Sequence, residues 1–441
     1  MKRSYRTITE VTDFGPYITK IILPLSKSIK SDALSEDTFN VYVERRSKKT
    51  GEVLQLRKDW NSVELYPSKG YCCVTNAYIS DSEGNKNEKG SHATLELECE
   101  AIHRLNSETA FEQEHNVYVF CDFRITQVKE IQTYNDTISG LVFDHFGGGK
   151  MEQIKGWVNS ESSYAEMPLC FGYYSPNMNK EKRPLIIWLH GAGEGGYDTS
   201  IAYTGNNVVN LSSEKVQEIF GGAYVLAPQV PTMWMDDGSG EYTKSGNSMY
   251  VLALKALIDE FIHLHPDIDT NRIYIGGCSN GGFMTMRMII DYPGFFAAAY
   301  PVCEALYDNV ITDQNIEDIK NTPIWFTHAK NDEIVKPEIT VIPTYERLLK
   351  AGAPNVHFSY FDKVVDTSGI FNDKEGNPFE FFSHGTWIYM LKDECELDYD
   401  GSPVKVNGKD VTLLQWLALQ SKQITDQNRK SYVEFNNGGV R

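Results

Sequence analysis

Through the first 135 residues, apolar side chains recur at every second position. Phe39, Val41 and Val43 share one face of FNVYVERR, while Leu95, Leu97 and Cys99 alternate with Glu96, Glu98 and Glu100 in ATLELECE. In NVYVFCDFRI the aligned set is Val117, Val119, Cys121, Phe123 and Ile125. A period of two sends one set of side chains into a core and the other into water. Turn-rich stretches such as SDSEGNKNEKG (80–90) separate these runs. The pattern predicts an antiparallel sandwich of immunoglobulin type over 1–135, without the Cys…Trp…Cys spacing of antibody domains.

From about residue 165 the period changes. Short continuous apolar runs appear: LIIWLHG (185–191), AYVLAPQ (223–229), RIYIGGCS (272–279), AAAYPVC (297–303), PIWFTHAK (323–330) and VHFSYFD (356–362). Amphipathic stretches lie between them or follow them, among them SMYVLALKALIDEFIHL (248–264), GFMTMRMII (282–290) and LLQWLALQSK (413–422). Strands apolar on both faces and interleaved with helices predict a mostly parallel sheet covered on each side, here over 165–441. The segment 136–164 reads as linker. Its FGGGK (146–150) lacks the glycine spacing and following Ser/Thr of a phosphate loop and reads as linker or turn.

Composition narrows the partners. With 42 basic and 60 acidic residues the net charge is −18, which repels nucleic-acid phosphates and anionic lipid, so neither is expected to bind. The opening MKRSYRTITEVTDFG has no apolar run behind its basic residues, and no window approaches a membrane span. The eight cysteines (72, 73, 99, 121, 170, 278, 303, 395) form no C-x-x-C pair and no metal-like spacing. A cytoplasmic, reducing setting is expected, although a secreted chain trimmed of its leader would read the same. HLH (263–265) reads as a helix end, and no metal is expected.

The chemistry centres on GGCSNGG (276–282), where Cys278 and Ser279 are adjacent potential nucleophiles. A nucleophile exposed on a sharp strand-to-helix turn needs small residues two positions before and after it. Ser279 has Gly277 and Gly281 there, whereas Cys278 has Gly276 and Asn280. The spacing selects Ser279. A serine needs a base, and the base an orienting carboxylate, in chain order Ser, acid, His. Of the later histidines, His328 ends an apolar run too early and His357 lies within a strand, so His384 in SHGTW is the base. Asp332 in HAKNDEIV follows a strand end and is the preferred acid, with Glu304 and Glu333 as alternatives. The oxyanion donors expected are the amide of Asn280 and one from LHGAGEGG, Ala192 first and Gly191 or Gly193 otherwise. His190 reads as a brace for that loop.

LHGAGEGG, APQVP followed by Trp234, RIYIGGCSNGG, PIWFTHAKNDEIV, SHGTW and QWLALQ occur in the order found in α/β-hydrolase carboxylesterases. The chain resembles esterases that carry an immunoglobulin-like N-terminal domain, related to prolyl-oligopeptidase-like and polyhydroxybutyrate-depolymerase-like hydrolases, with motifs over about 165–424. The resemblance implies an α/β hydrolase fold, the triad Ser279, Asp332 and His384, and hydrolysis of short-chain, aryl or carbohydrate-linked acyl esters without metal or cofactor. Trp234 and Trp387 are expected at the substrate pocket. Two insertions depart from a minimal hydrolase, 364–382 and 393–410, and the first carries Phe371, Phe379, Phe381 and Phe382 as pocket or packing residues. A serine peptidase on the same triad, or a glycan-binding protein with an inactive hydrolase half, are the alternatives.

Overall fold

The computed structural model describes residues 3–25, 27–29, 32–56, 65–112, 115–176 and 181–422. Residues 423–441, assigned by the sequence to the second domain, lie outside the described residues. The first domain is a sandwich. One sheet runs His145–Lys150, Ser4–Thr12, Gly15–Pro24, His92–Leu97, Val74–Ser80. The other runs Val142–Phe143, His115–Gln127, Phe39–Ser47, Lys69–Cys72, with Thr109–Glu112 also pairing with His115–Gln127. The alternating faces meet between the sheets: Val41, Val43, Leu95, Cys121, Phe123 and Ile125 are buried in one cluster with Tyr5 and Phe39. FGGGK differs from expectation, because it belongs to strand His145–Lys150, which pairs in parallel with Ser4–Thr12. Its three glycines hid the period of two from which a strand is read.

The second domain is built on an eight-stranded sheet. Its order is Trp157–Glu161, Cys170–Tyr174, Tyr224–Gln229, Arg183–Leu189, Ile268–Cys278, Ala298–Val302, Ile324–Ala329, Val356–Phe361. Cys170–Tyr174 runs antiparallel to both of its neighbours and the other strands run parallel to one another, the arrangement of an α/β hydrolase. Continuous apolar runs are explained by burial on both faces. Leu185, Ile187 and Leu189 pack with helices Val251–Leu264, Asn280–Asp291 and Val341–Lys350. Ile186 and Trp188 pack on the opposite face with helices Glu214–Phe220, Trp387–Leu391 and Leu413–Ala418. Val11, Tyr17 and Cys99 of the first domain enter that same second cluster, so the two domains share a core. Among the described residues no helix is long and apolar enough to cross a membrane.

The phenylalanines of the 364–382 insertion serve that junction. Phe371 is buried edge-on to Tyr17 at 5.5 Å, and Phe381 lies 4.2 Å from Phe14, ring centre to ring centre. Phe382 alone of the four is exposed.

Candidate active site

Strand Ile268–Cys278 delivers the chain to Ser279, and helix Asn280–Asp291 starts at the next residue. Ser279 has φ 55° and ψ −112°, a strained conformation for a residue with a Cβ. Close packing enforces it. A Cβ on Gly277 would lie 2.2 Å from the Leu189 carbonyl oxygen, and one on Gly281 only 1.9 Å from the same atom. The glycine spacing that favours Ser279 over Cys278 therefore has a direct steric cause. Cys278 is buried, with Asn206 Nδ2 3.4 Å from its Sγ. Burial, and after it the neighbouring Glu194, pushes its thiol far above the ordinary cysteine range, which disfavours the reactive thiolate.

Asp332 follows strand Ile324–Ala329, and His384 precedes helix Trp387–Leu391. The structure brings them together, with His384 Nδ1 2.7 Å from Asp332 Oδ2. Asp332 Oδ1 accepts the amides of Ile334 and Val335 at 2.9 and 3.0 Å. His328, set aside as too early in the chain, places Nε2 3.1 Å from Asp332 Oδ2 and 3.0 Å from the Val335 carbonyl oxygen. Burial pushes the Asp332 carboxyl up, but hydrogen bonds from His328, His384 and the Val335 amide outweigh it and hold the carboxyl well below the usual range. An ionised Asp332 makes His384 Nδ1 a donor and leaves its Nε2 able to take a proton.

Among the described residues the hydrogen bond of the His384 ring is the one to Asp332, and a serine–imidazole link in such sites often tightens only around bound substrate. Ser279 is nonetheless tied to the acid's neighbourhood through the backbone. Its amide donates to the Val302 carbonyl at 2.9 Å, and the amide of the next residue, Cys303, donates to Thr327 at 2.7 Å. The other acids considered lie elsewhere. Glu304 is buried, among the described residues accepts only the Leu306 amide at 2.7 Å, and is pushed up to about 8 by burial; Glu333 is exposed. His357 pairs with Asp398 at 2.7 Å instead.

Ala192 opens the short helical turn Ala192–Glu194, and Asn280 opens the helix after Ser279. An amide at a first helical position has no acceptor within its helix and is available to a ligand. Leu189 and Gly277 are partners in adjacent parallel strands, which sets the two turns side by side. His190 braces this loop. It is fully buried, its Nε2 accepts the Val230 amide at 3.2 Å, and its Nδ1 donates to the Gly191 carbonyl at 2.6 Å. Burial lowers it to about 4, so it is neutral near pH 7.

The two tryptophans part company. Trp234 is fully buried between His190, 5.2 Å away, and Tyr250, 6.1 Å away, and so is a core residue and not a pocket wall. Trp387 lies edge-on to His384 at 6.0 Å and beside Phe382. Two neighbours of the site escaped the sequence reading. His328 was signalled by its spacing of four from Asp332 across a strand end, and Glu194 by being the one acid in a glycine loop.

Residues 4–140 match the family model of the esterase Ig-like N-terminal domain, and residues 176–366 that of phospholipase/carboxylesterase. A probable carboxylesterase SOBER1-like protein of Arabidopsis thaliana is 26% identical over 175 residues, 36% of this chain and 64% of that protein. Poly(3-hydroxyalkanoate) depolymerase C of Paucimonas lemoignei is 29% identical over 132 residues, 28% of either chain. The matched region thus spans less than two thirds of each curated relative. A thermostable esterase of known structure shares the fold, with a TM-score of 0.69 at 24% identity over 95% of this chain and 99% of its own. In chain order, then, the first domain is similar to an esterase Ig-like N-terminal domain and the second, on an α/β-hydrolase fold, to a phospholipase/carboxylesterase domain.

Proposed function

We propose that the protein is a serine esterase that hydrolyses carboxylic esters through an acyl-enzyme on Ser279. The observation that carries this reading is the 2.7 Å contact of His384 Nδ1 with a deeply buried, ionised Asp332, on the same sheet end as the strained Ser279 turn. In the first half-reaction Ser279 Oγ attacks the acyl carbon while His384 Nε2 takes the hydroxyl proton. The C=O electron pair moves onto oxygen, where the Ala192 and Asn280 amides donate to it. Collapse expels the alkoxide, which leaves as the alcohol with the proton from His384. In the second half-reaction water gives its proton to His384 and attacks the acyl carbon. Ser279 then departs with that proton, and the carboxylic acid is released.

The substrates proposed are short-chain, aryl or carbohydrate-linked acyl esters. The exposed Phe382, 6.4 Å from His384 and packed beside Trp387, supplies apolar surface for such a group. Turnover of p-nitrophenyl acetate and butyrate tests the reading. Ser279→Ala is expected to lower kcat by about 10⁶-fold with the fold intact, and unchanged turnover would remove Ser279 from the reaction. Peptide amides cleaved as fast as esters would assign the same triad to a peptidase.

A further inference from the structure

The first domain reaches the catalytic half beside both of its active-site loops. Phe14, in the turn between the first two strands, lies 6.0 Å from Phe382 and 6.2 Å from Trp387, ring centre to ring centre. On the other side, strands Thr109–Glu112 and His115–Gln127 approach the glycine loop after Leu189. A Cβ on Gly193 would lie 3.1 Å from Asn116 Nδ2 and 3.5 Å from Phe111 Cε2, and one on Gly195 3.2 Å from His115 Cε1.

Asn116 makes the specific contact. Its Nδ2 donates to Glu194 Oε1 at 2.8 Å, and Asn206 Nδ2 donates to Glu194 Oε2 at 3.2 Å. A Cβ on Gly191 would lie 2.9 Å from Glu194 Oε2, so the Gly191 backbone passes directly beside this carboxyl group, which burial pushes up from its ordinary range. The Glu194 main-chain carbonyl accepts Gln229 Nε2 at 2.9 Å. Glu194 is 5% exposed. The turn that presents the Ala192 amide is therefore folded around a buried carboxylate, and one donor to that carboxylate comes from the other domain.

We propose that Asn116 is a positioning residue of the oxyanion hole, holding the Gly191–Glu194 turn in place through its hydrogen bond to Glu194. The proposal rests on the serine-esterase reading above. A buried carboxylate that loses a donor moves toward other partners or takes a proton. Either change shifts the turn, and with it an amide whose strongest interaction is with the transition state. The loss therefore falls on kcat. The other titratable groups around Glu194 are the Cys278 thiol, which Asn206 also contacts, and the imidazoles of His115 and His190 on the two sides of the loop.

The test uses the full chain and p-nitrophenyl acetate. Asn116→Ala is expected to lower kcat about 10- to 30-fold while KM stays within about threefold, a fraction of what deleting an oxyanion donor removes. On top of Glu194→Ala, which removes the acceptor, the same substitution should cost less than about threefold, because the two residues act as one unit. Asn116→Asp is nearly isosteric. At low pH one of the facing carboxyls can donate to the other, but at higher pH they repel, so its kcat relative to the parent should fall as pH rises. Tyr118→Phe cuts a different interdomain hydrogen bond, to Thr204 Oγ1 at 2.8 Å, and should leave kcat within about twofold. Parent-like kcat in Asn116→Ala, the same loss with Glu194→Ala present, a pH-independent ratio for Asn116→Asp, or a matching loss in Tyr118→Phe would each overturn the proposal. If Asn116→Ala does not fold, Asn116→Asp decides. Turnover that survives Ser279→Ala would instead remove the esterase reading itself.

Discussion

Two turns meet at Ser279, and they are fixed by opposite means. The turn that carries the nucleophile is held by contact between backbones, with Gly277 and Gly281 pressed onto the Leu189 carbonyl. The turn that carries Ala192 is held by polar side chains converging on Glu194 from Asn116 and Asn206, with His190 bracing the loop from beneath. Steric fixing is short-range and tolerates no added atom. Polar fixing reaches across 78 residues of sequence and from one domain to the other, and it depends on every donor being present.

The sharpest way to break the steric side is one methyl group. Gly281→Ala would have to move a carbonyl oxygen 1.9 Å from the new Cβ. We expect the elbow to shift, costing about 3 kcal/mol of stability and about 100-fold in kcat. Thermal unfolding and ester turnover measured together check this, and a fully active Gly281→Ala would show that the turn is not sterically set.

The second test sets one buried acid against another. Glu194 has donors on both oxygens, whereas Glu304, behind the elbow helix, has one and leaves Oε1 without a partner. Burial raises Glu304 from an ordinary 4.5 to about 8, so the folded protein keeps a proton that the unfolded chain releases. The stability this group contributes is full below about pH 4.5 and is lost as pH rises through about 8. Glu304→Gln should therefore gain on the parent in melting temperature as pH rises from 5 to 8. A constant gap over that range would mean that Glu304 is ionised in the fold.

The smallest effect belongs to the thiol lying between the two turns. Cys278→Ala should lower stability by about 1 kcal/mol and leave kcat within about threefold. A loss of several hundredfold would transfer the nucleophile's role to Cys278.

The same contrast explains what could be read from the chain before its structure. Gly277, Gly281 and Ser279 are close in sequence and meet a local steric demand, so the elbow was legible. Asp332 and His384 were reached through their places after strand ends, which the apolar runs located. Asn116 was invisible as a site neighbour, because nothing in a surface strand announces a contact with a loop in another domain. Trp234 failed for a related reason: an aromatic beside a catalytic motif looks the same whether it lines a pocket or fills the core under it.

The pairing of His145–Lys150 with Ser4–Thr12 makes the first and last strands of the N-terminal domain neighbours. A chain emerging from the ribosome cannot complete this sheet until residue 150 is free, and until then Ser4–Thr12 carries an open edge able to recruit a foreign strand. The arrival of FGGGK thus covers the Ser4–Thr12 edge and leaves a short, glycine-rich strand as the outermost one of that sheet. A fragment ending at residue 135 would be caught permanently before that moment.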